Sequence, residues 1–384
     1  VTYLDHAATT PMLPEAREAL IAALGEFGNP SSLHASGRRA RRAVEESRER
    51  IAAAIGCRPS EVVFTSGGTE SDNLAVKGIF WARRDADSAR TRVLTSAVEH
   101  HAILDTVEWL AEHEGASGEF LAVDEYGRLT ADTLAEALAE RADEVAVVSV
   151  QWANNEIGSV QPIEQLAALA KQHGIPFHTD AVQAVAQVAV DPTLVDALTL
   201  TGHKLGGPVG VGALVLGRQV AVTPVQHGGG QERDVRSGTL DTAGIVSFSI
   251  AVESAIRSQP ERTERVRVLR DDLIARVRDL VPDAILNGHP TDRLPGNAHF
   301  SFPGCEGDAL LMLLDAAGVE CSTGSACSAG VAEPSHVLVA MGADSARARS
   351  SLRFSLGHTS TPADIDALVK ALPGAVERSR RATA

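Results

Sequence analysis

Ala197-Leu-Thr-Leu-Thr-Gly-His-Lys204-Leu-Gly-Gly-Pro-Val-Gly-Val-Gly212 is the stretch on which the reading of this chain turns. Alternation of apolar and polar residues from Ala197 to Thr201 predicts a strand, and that strand delivers a His203-Lys204 pair into a glycine-rich turn. A lysine leaving a strand into backbone flexible enough to wrap a ligand suits a Schiff-base amine. An ordinary surface turn fits the same letters.

Working outward, three more apolar runs lead to a reactive or amide side chain. Arg92-Val-Leu-Thr95 precedes His100, Val145 to Val150 precedes Asn154 and Asn155, and Ile175-Pro-Phe-His178 runs into Asp180. Ligands of open α/β sheets bind beyond the carboxyl ends of the strands, so these residues are expected to converge with Lys204 on one crevice. Further upstream, Glu61 to Phe64 reads as a strand, Gly67-Gly68 as a turn, and Val76, Ile79 and Phe80 mark one face of a following helix. Amides at Gly68 and Thr69 would leave that helix N-terminus toward an anion, a phosphate being the natural occupant. A capping box with Thr69 or Ser66 as the cap fits equally well.

Strands continue to alternate with helices, among them 131–142 and 163–173, up to about residue 216. The expected architecture is α/β: a large domain with a mostly parallel sheet covered by helices, over residues 12–257. A polar loop with a glycine triplet, Gln226 to Thr239, and helices over 242–257 and 261–280 lead to a smaller α+β domain formed by residues 1–11 and 258–384. Its strands are read at 297–302, 319–321 and 352–355, with a helix at 308–317. The basic face of a helix over 38–55 is read as solvated.

Composition bounds the partners. The 384 residues carry a net charge of -15 with pI near 5.3, which argues against direct contact with nucleic acid or an anionic membrane surface. No apolar run approaches the roughly 20 residues of a membrane span. The opening Val1-Thr-Tyr-Leu-Asp-His contains no charged-then-apolar leader, so a cytoplasmic protein is expected. The cysteines Cys57, Cys305, Cys321 and Cys327 form neither a disulfide framework nor a Cys-x-x-Cys zinc motif, and no metal is expected. Cys327 lies in Gly324-Ser-Ala-Cys327-Ser-Ala-Gly330, where small neighbours give the exposure and reach a thiol nucleophile needs. Cys57 is read as structural or inert, Cys305 as a turn thiol, and Cys321 as packed in a strand.

The ordered motifs resemble one family. They run from Tyr3-Leu-Asp-His-Ala-Ala-Thr-Thr-Pro11 through Gly28-Asn-Pro-Ser-Ser-Leu-His34, Thr65-Ser-Gly-Gly-Thr-Glu-Ser-Asp-Asn73, Glu99-His100, Asn154-Asn155-Glu-Ile-Gly158, Gly202-His203-Lys204, His227-Gly-Gly-Gly and Arg236-Ser-Gly-Thr239 to Gly324-Ser-Ala-Cys327 and Leu352-Arg353-Phe-Ser-Leu-Gly357. The chain is similar over nearly its whole length to cysteine desulfurases of the NifS/IscS group, pyridoxal 5'-phosphate (PLP) enzymes of fold type I in the class V aminotransferase superfamily.

The resemblance implies that Lys204 forms the Schiff base with PLP and that Asp180 pairs with the pyridine nitrogen. Gln183 would bond the ring hydroxyl, His100 would stack on the ring, and Gly68, Thr69, Thr201 and His203 would hold the phosphate. Thr239 would reach the phosphate of a neighbouring subunit, which implies a homodimer with shared sites. Arg353 would clamp the carboxylate of L-cysteine beside Asn155. Cys327 would take the substrate sulfur as a persulfide, leaving L-alanine, with His100 or the substrate thiolate as proton acceptor, and would pass the sulfur to an acceptor protein.

Two departures stand out. Asp180-Ala-Val-Gln183 replaces the usual Asp-Ala-Thr-Gln, a change expected to touch packing only. The sequence also stops soon after its last helix, where housekeeping IscS enzymes carry a longer tail toward their iron-sulfur scaffold. That leaves iron-sulfur cluster assembly, thio-modification of tRNA and DNA phosphorothioation all open as destinations. A selenocysteine lyase or an aminotransferase would share the fold and Lys204, but an aminotransferase has no need of Cys327.

Overall fold

The computed structural model describes residues 1–324 and 334–383. Its centre is a seven-stranded sheet in the order Val62–Thr65, Gly212–Leu216, Ala197–Thr201, Phe177–Asp180, Val145–Ser149, Arg92–Ser96, Ser117–Leu121. All strands run the same way except Gly212–Leu216, which is antiparallel to both its neighbours. The reversal follows from the Lys204 turn itself. Residues 202–211 are too few for a helical crossover, which takes about a dozen residues or more, so the next strand returns alongside as a hairpin.

Helices cover both faces. On one, Ile51, Leu134, Leu166 and Phe248 pack on Phe64, Val148, Phe177 and Leu200. On the other, Val76, Ile79, Phe80 and Ile103 pack on Val63, Val93, Val147 and Leu214. This double cover buries the strand Ala197–Thr201 along its whole length. Its threonines, read as the polar half of an alternation, are inside, and Thr199 meets this by pairing its hydroxyl with His178 Nε2 at 3.0 Å.

A second core gathers Leu269, Phe300, Phe302, Leu310, Leu352, Phe354 and Leu368 around the antiparallel strands Ile285–Asn287, Asn297–Ser301 and Ser351–Ser355. Leu4 belongs to it, because Thr2–Tyr3 pairs in parallel with Val319–Glu320 and Asp5 bridges to Ser355. The first residues are thereby held between the two cores, and their carbonyls face the end of the large sheet.

Two helices differ in extent from the sequence reading. The helix from Ala131 stops at Leu138, because the Arg92 guanidinium takes the carbonyls of Ala137 (3.0 Å) and Arg141 (2.9 Å) out of the helical ladder. The helix ending at Leu280 begins at Gln259, since Pro260 is tolerated in a first turn. No helix among the described residues is long and apolar enough to cross a membrane.

The helix Ala35–Ile55 corrects the expectation of a wholly solvated basic face. Arg38, Arg39, Arg41 and Arg42 are exposed, but Arg48 is buried. Its guanidinium lies 4.7 Å from the centre of the Phe64 ring and donates to Glu232 at 2.7 and 2.8 Å and to Val62 O at 2.7 Å, while Glu232 also accepts from Phe64 N at 2.9 Å. Glu232 thus pins the glycine-rich loop onto the edge strand. Glu232→Ala leaves the buried guanidinium with only the half-exposed Glu45, at 3.1 Å, as counter-charge, and the stability lost in urea denaturation is expected to reach about 3–5 kcal/mol. A loss within the roughly 0.5 kcal/mol of an ordinary surface change would contradict this account of the loop.

Candidate active site

The strand Ala197–Thr201 ends in a single tight turn, Gly202–Lys204, closed by Leu205 N and Gly207 N donating to Gly202 O at 2.9 Å each. This turn aims Lys204 across the sheet end toward the N-terminal segment, where its Nζ donates to Ala7 O and, at 2.7 Å, to Ala8 O. Gln183 Nε2 donates to the same Ala7 O at 2.9 Å. The N-terminal crossing therefore supplies the acceptors that hold the lysine amine over the site.

Asp180 is the last residue of its strand. Burial raises its carboxyl to about 6, against the pull of the Val182 amide, which donates to Oδ1 at 2.9 Å, and of Lys204. His100 caps the helix His101–Glu114, its Nδ1 accepting from Ala102 N at 3.1 Å. That bond places the proton of the neutral ring on Nε2. Burial, with Lys204, His101 and His336 nearby, lowers His100 to about 4, so it is neutral near pH 7 and a weak base. Burial and Lys204 likewise lower His203 to about 4.

The helix Gly68–Ala86 starts beneath these groups. Gly67, at φ 151, makes the entry, and no side chain caps the terminus among the described residues. The capping boxes based on Thr69 or Ser66 do not form. Instead Glu70 accepts from Ser66 N at 2.8 Å and is held by Arg236 Nε at 2.7 Å. The amides of the first turn stay available to an anion.

These groups line one cavity of about 350 Å³. Its wall contains Gly68, Thr69, His100, Asn155, Asp180, Gln183, Thr201, His203, Lys204 and Arg353, together with Asp5, Asp72, Gln151, Ser322 and Gly324. Val182, expected to affect packing only, also lines it, because its side chain packs over Gly68 where a Cβ would come within 3.0 Å. Arg353 is buried, donating to Asn155 O at 2.8 Å and to Asp5 Oδ1 at 2.7 Å. Thr239 is exposed and outside the cavity. Cys327 lies outside the described residues. The described thiols are poor nucleophiles: burial pushes Cys321 and Cys57 up to about 12 and raises Cys305.

The family model for aminotransferase class-V matches residues 2–368. The chain belongs to the class-V aminotransferase family. This family is PLP-dependent, and the cavity fits that cofactor: an uncapped helix terminus for its phosphate, a buried acid for its ring nitrogen and a lysine amine for its aldehyde. Among relatives of this class-V chain, an IscS-like cysteine desulfurase of Mycobacterium tuberculosis is 58% identical, over 100% of this chain and 98% of its own. A solved NifS-like protein matches with TM-score 0.90 at 31% identity, covering 98% and 99% of the two chains. DndA from Streptomyces lividans matches with TM-score 0.78 at 34% identity, covering 93% and 99%.

Two acidic groups in this class-V site escape the sequence reading. Asp5 sits in an unremarkable small-residue loop and reaches the cavity only because the chain start crosses between the cores. Asp72 had a legible signal: with Val76, Ile79 and Phe80 it lies at i, i+4, i+7 and i+8, a carboxylate on the buried face of its helix.

Proposed function

We infer that the protein is a PLP-dependent cysteine desulfurase that converts L-cysteine to L-alanine and carries the released sulfur as a persulfide on Cys327 to an acceptor protein. The observation that carries this reading is the convergence of Lys204, Asp180 and His100 with the Arg353 guanidinium around one cavity. Identity of 58% to an IscS-like cysteine desulfurase supports the choice of reaction within the family and favours iron-sulfur cluster assembly as the sulfur's destination.

When bound, PLP supplies an electron sink that makes the substrate Cα–H acidic and loosens the Cβ–S bond. The protein's residues do the rest. Asp180 would hold the ring nitrogen protonated, His100 would lie against the ring, and Gln183 would meet its hydroxyl. Gly68, Thr69, Thr201 and His203 would hold the phosphate. Lys204 Nζ would take the Cα proton of the substrate. The Cys327 thiolate attacks the substrate sulfur; the new S–S bond forms as the Cβ–S bond breaks, and Cβ gains the proton that completes alanine. An ordinary thiol, pKa about 8.5, is only a few per cent ionised at pH 7. Burial and Lys204 lower His100 in the cavity, which favours the thiolate form of the substrate over His100 as the acceptor of that proton.

Arg353 and Asn155 receive the substrate carboxylate. Because Arg353 already spans Asp5 and Asn155, its fork is oriented before substrate arrives. Arg353→Ala is expected to raise KM for L-cysteine about 10- to 100-fold, roughly 1.5–3 kcal/mol of binding. An unchanged KM would remove it from the substrate site.

The working unit we propose is a homodimer with shared sites. Thr239 faces outward on a loop pinned by Glu232 and Arg236, and Ile21, Leu24, Phe27 and Leu33 are 64–85% exposed on one short segment. The division into residues 12–257 and 1–11 with 258–384 is supported by the core around Leu4, Leu269, Phe300, Leu352 and Leu368, which draws on no residue between 12 and 257. Purified protein loaded with PLP and given L-cysteine, L-selenocysteine or an amino donor with a keto acid tests the reading. It expects alanine and sulfide from L-cysteine under reductant as the favoured reaction; amino-group transfer alone would refute it.

A further inference from the structure

Asp72 is buried on the helix Gly68–Ala86, one turn past the residues assigned to the phosphate. Its Oδ1 has no hydrogen-bond partner among the described residues, and His178 Nε2, at 3.7 Å, is beyond hydrogen-bonding reach. Beside it, Thr199 ends a chain of hydrogen bonds that runs from Ser149 through His178 at 2.8 and 3.0 Å. Asp72 thus lies against a buried network with an oxygen that no donor meets among the described residues, and it lines the same cavity as Asp180.

Such an arrangement is costly in the protein alone. A buried carboxyl oxygen without a donor loses its hydration for nothing in return. The neighbours make it worse: after burial itself, the carboxyls of Asp180 and Glu99 push the Asp72 carboxyl well above the usual carboxylate range. Lys204 offsets charge at Asp180. Two carboxyls of one site cannot both ionise cheaply unless a cation lies against them.

We propose that Asp72 is a second carboxyl of the ring-nitrogen site, acting with Asp180 on the protonated pyridine of PLP so that cofactor affinity is gained at the expense of the cofactor-free fold. The proposal rests on the reading that this cavity takes PLP with its ring nitrogen at Asp180. Asp72 here is a binding residue for the cofactor; it needs no contact with L-cysteine.

Opposite signs in two measurements test it. Asp72→Asn keeps the shape and removes the charge. Equilibrium dialysis of the stripped enzyme against PLP is expected to show a dissociation constant raised about tenfold or more, the scale of one neighbouring charge in a partly screened site. Thermal melting of the same cofactor-free variant is expected to occur above that of the unaltered chain. A merely structural role would lower both stability and affinity, and unchanged or tighter PLP binding would also overturn the proposal. Asp72→Ser, which removes the same charge, must show the same loss of PLP affinity and decides the matter if the asparagine variant does not fold. Asp180→Asn is the reference: it must weaken PLP more than Asp72→Asn does. Should Asp180→Asn bind PLP as tightly as the unaltered chain, the ring-nitrogen assignment itself falls and takes this proposal with it, whereas a loss at Asp180 without one at Asp72 overturns the proposal alone.

Discussion

Lys204→Ala is expected to stop turnover of L-cysteine and to leave protein incubated with PLP without the visible absorbance of a lysine-bound cofactor. The amine has two duties in this account, attachment of the cofactor and transfer of the Cα proton, and alanine can perform neither. The base function alone is worth on the order of 10²–10⁴-fold in rate, so activity should fall by at least that much. Among the described residues no other lysine lines the cavity. PLP should still bind weakly, because the helix terminus at Gly68 and the Asp180 carboxyl are untouched. Alanine formation at the unaltered rate would show that the amine lies elsewhere, and with it the site.

Which parts of this molecule could be read from its letters follows from where the information resides. The strand Ala197–Thr201, the Lys204 turn and the strand-end positions of His100 and Asp180 are local patterns, and the structure puts them at one sheet end. The reversal of Gly212–Leu216 was also implicit, in the shortness of the 202–211 connection. What could not be read are contacts made across long separations. Arg48 looked like its exposed neighbours because its partner Glu232 is 184 residues away. Asp5 reaches Arg353 through a crossing that no local pattern announces. The helix from Ala131 is shortened by Arg92, a residue of a strand far upstream. Asp72 was legible and overlooked, since an acid within an apolar stripe is hidden by the stripe's clear helical period.

Cys327→Ser separates the chemistry at Cα from the transfer of sulfur. The variant should load PLP as before and should still change the cofactor's absorbance when L-cysteine is added, because Lys204, Asp180 and Arg353 are intact. It should form alanine no faster than free PLP does. A serine hydroxyl is too weakly acidic to be ionised near pH 7 and cannot take sulfur from a thiol. The remaining thiols offer no substitute: Cys321 and Cys57 are pushed up to about 12 by burial, and Cys305 is buried against Val376 O. Full desulfurase activity in the variant would remove Cys327 from the mechanism while leaving the PLP site standing.

The central claim is that sulfur leaves L-cysteine onto one particular thiol of this protein, and a single turnover tests it directly. PLP-loaded enzyme is mixed with one equivalent of L-cysteine in the absence of reductant, quenched, digested and mapped by mass spectrometry, with alanine measured in the same sample. The account predicts one added sulfur on Cys327 for each alanine formed. Alanine formed with the added sulfur on Cys57, Cys305 or Cys321, or released as sulfide with no protein-bound persulfide, would contradict it.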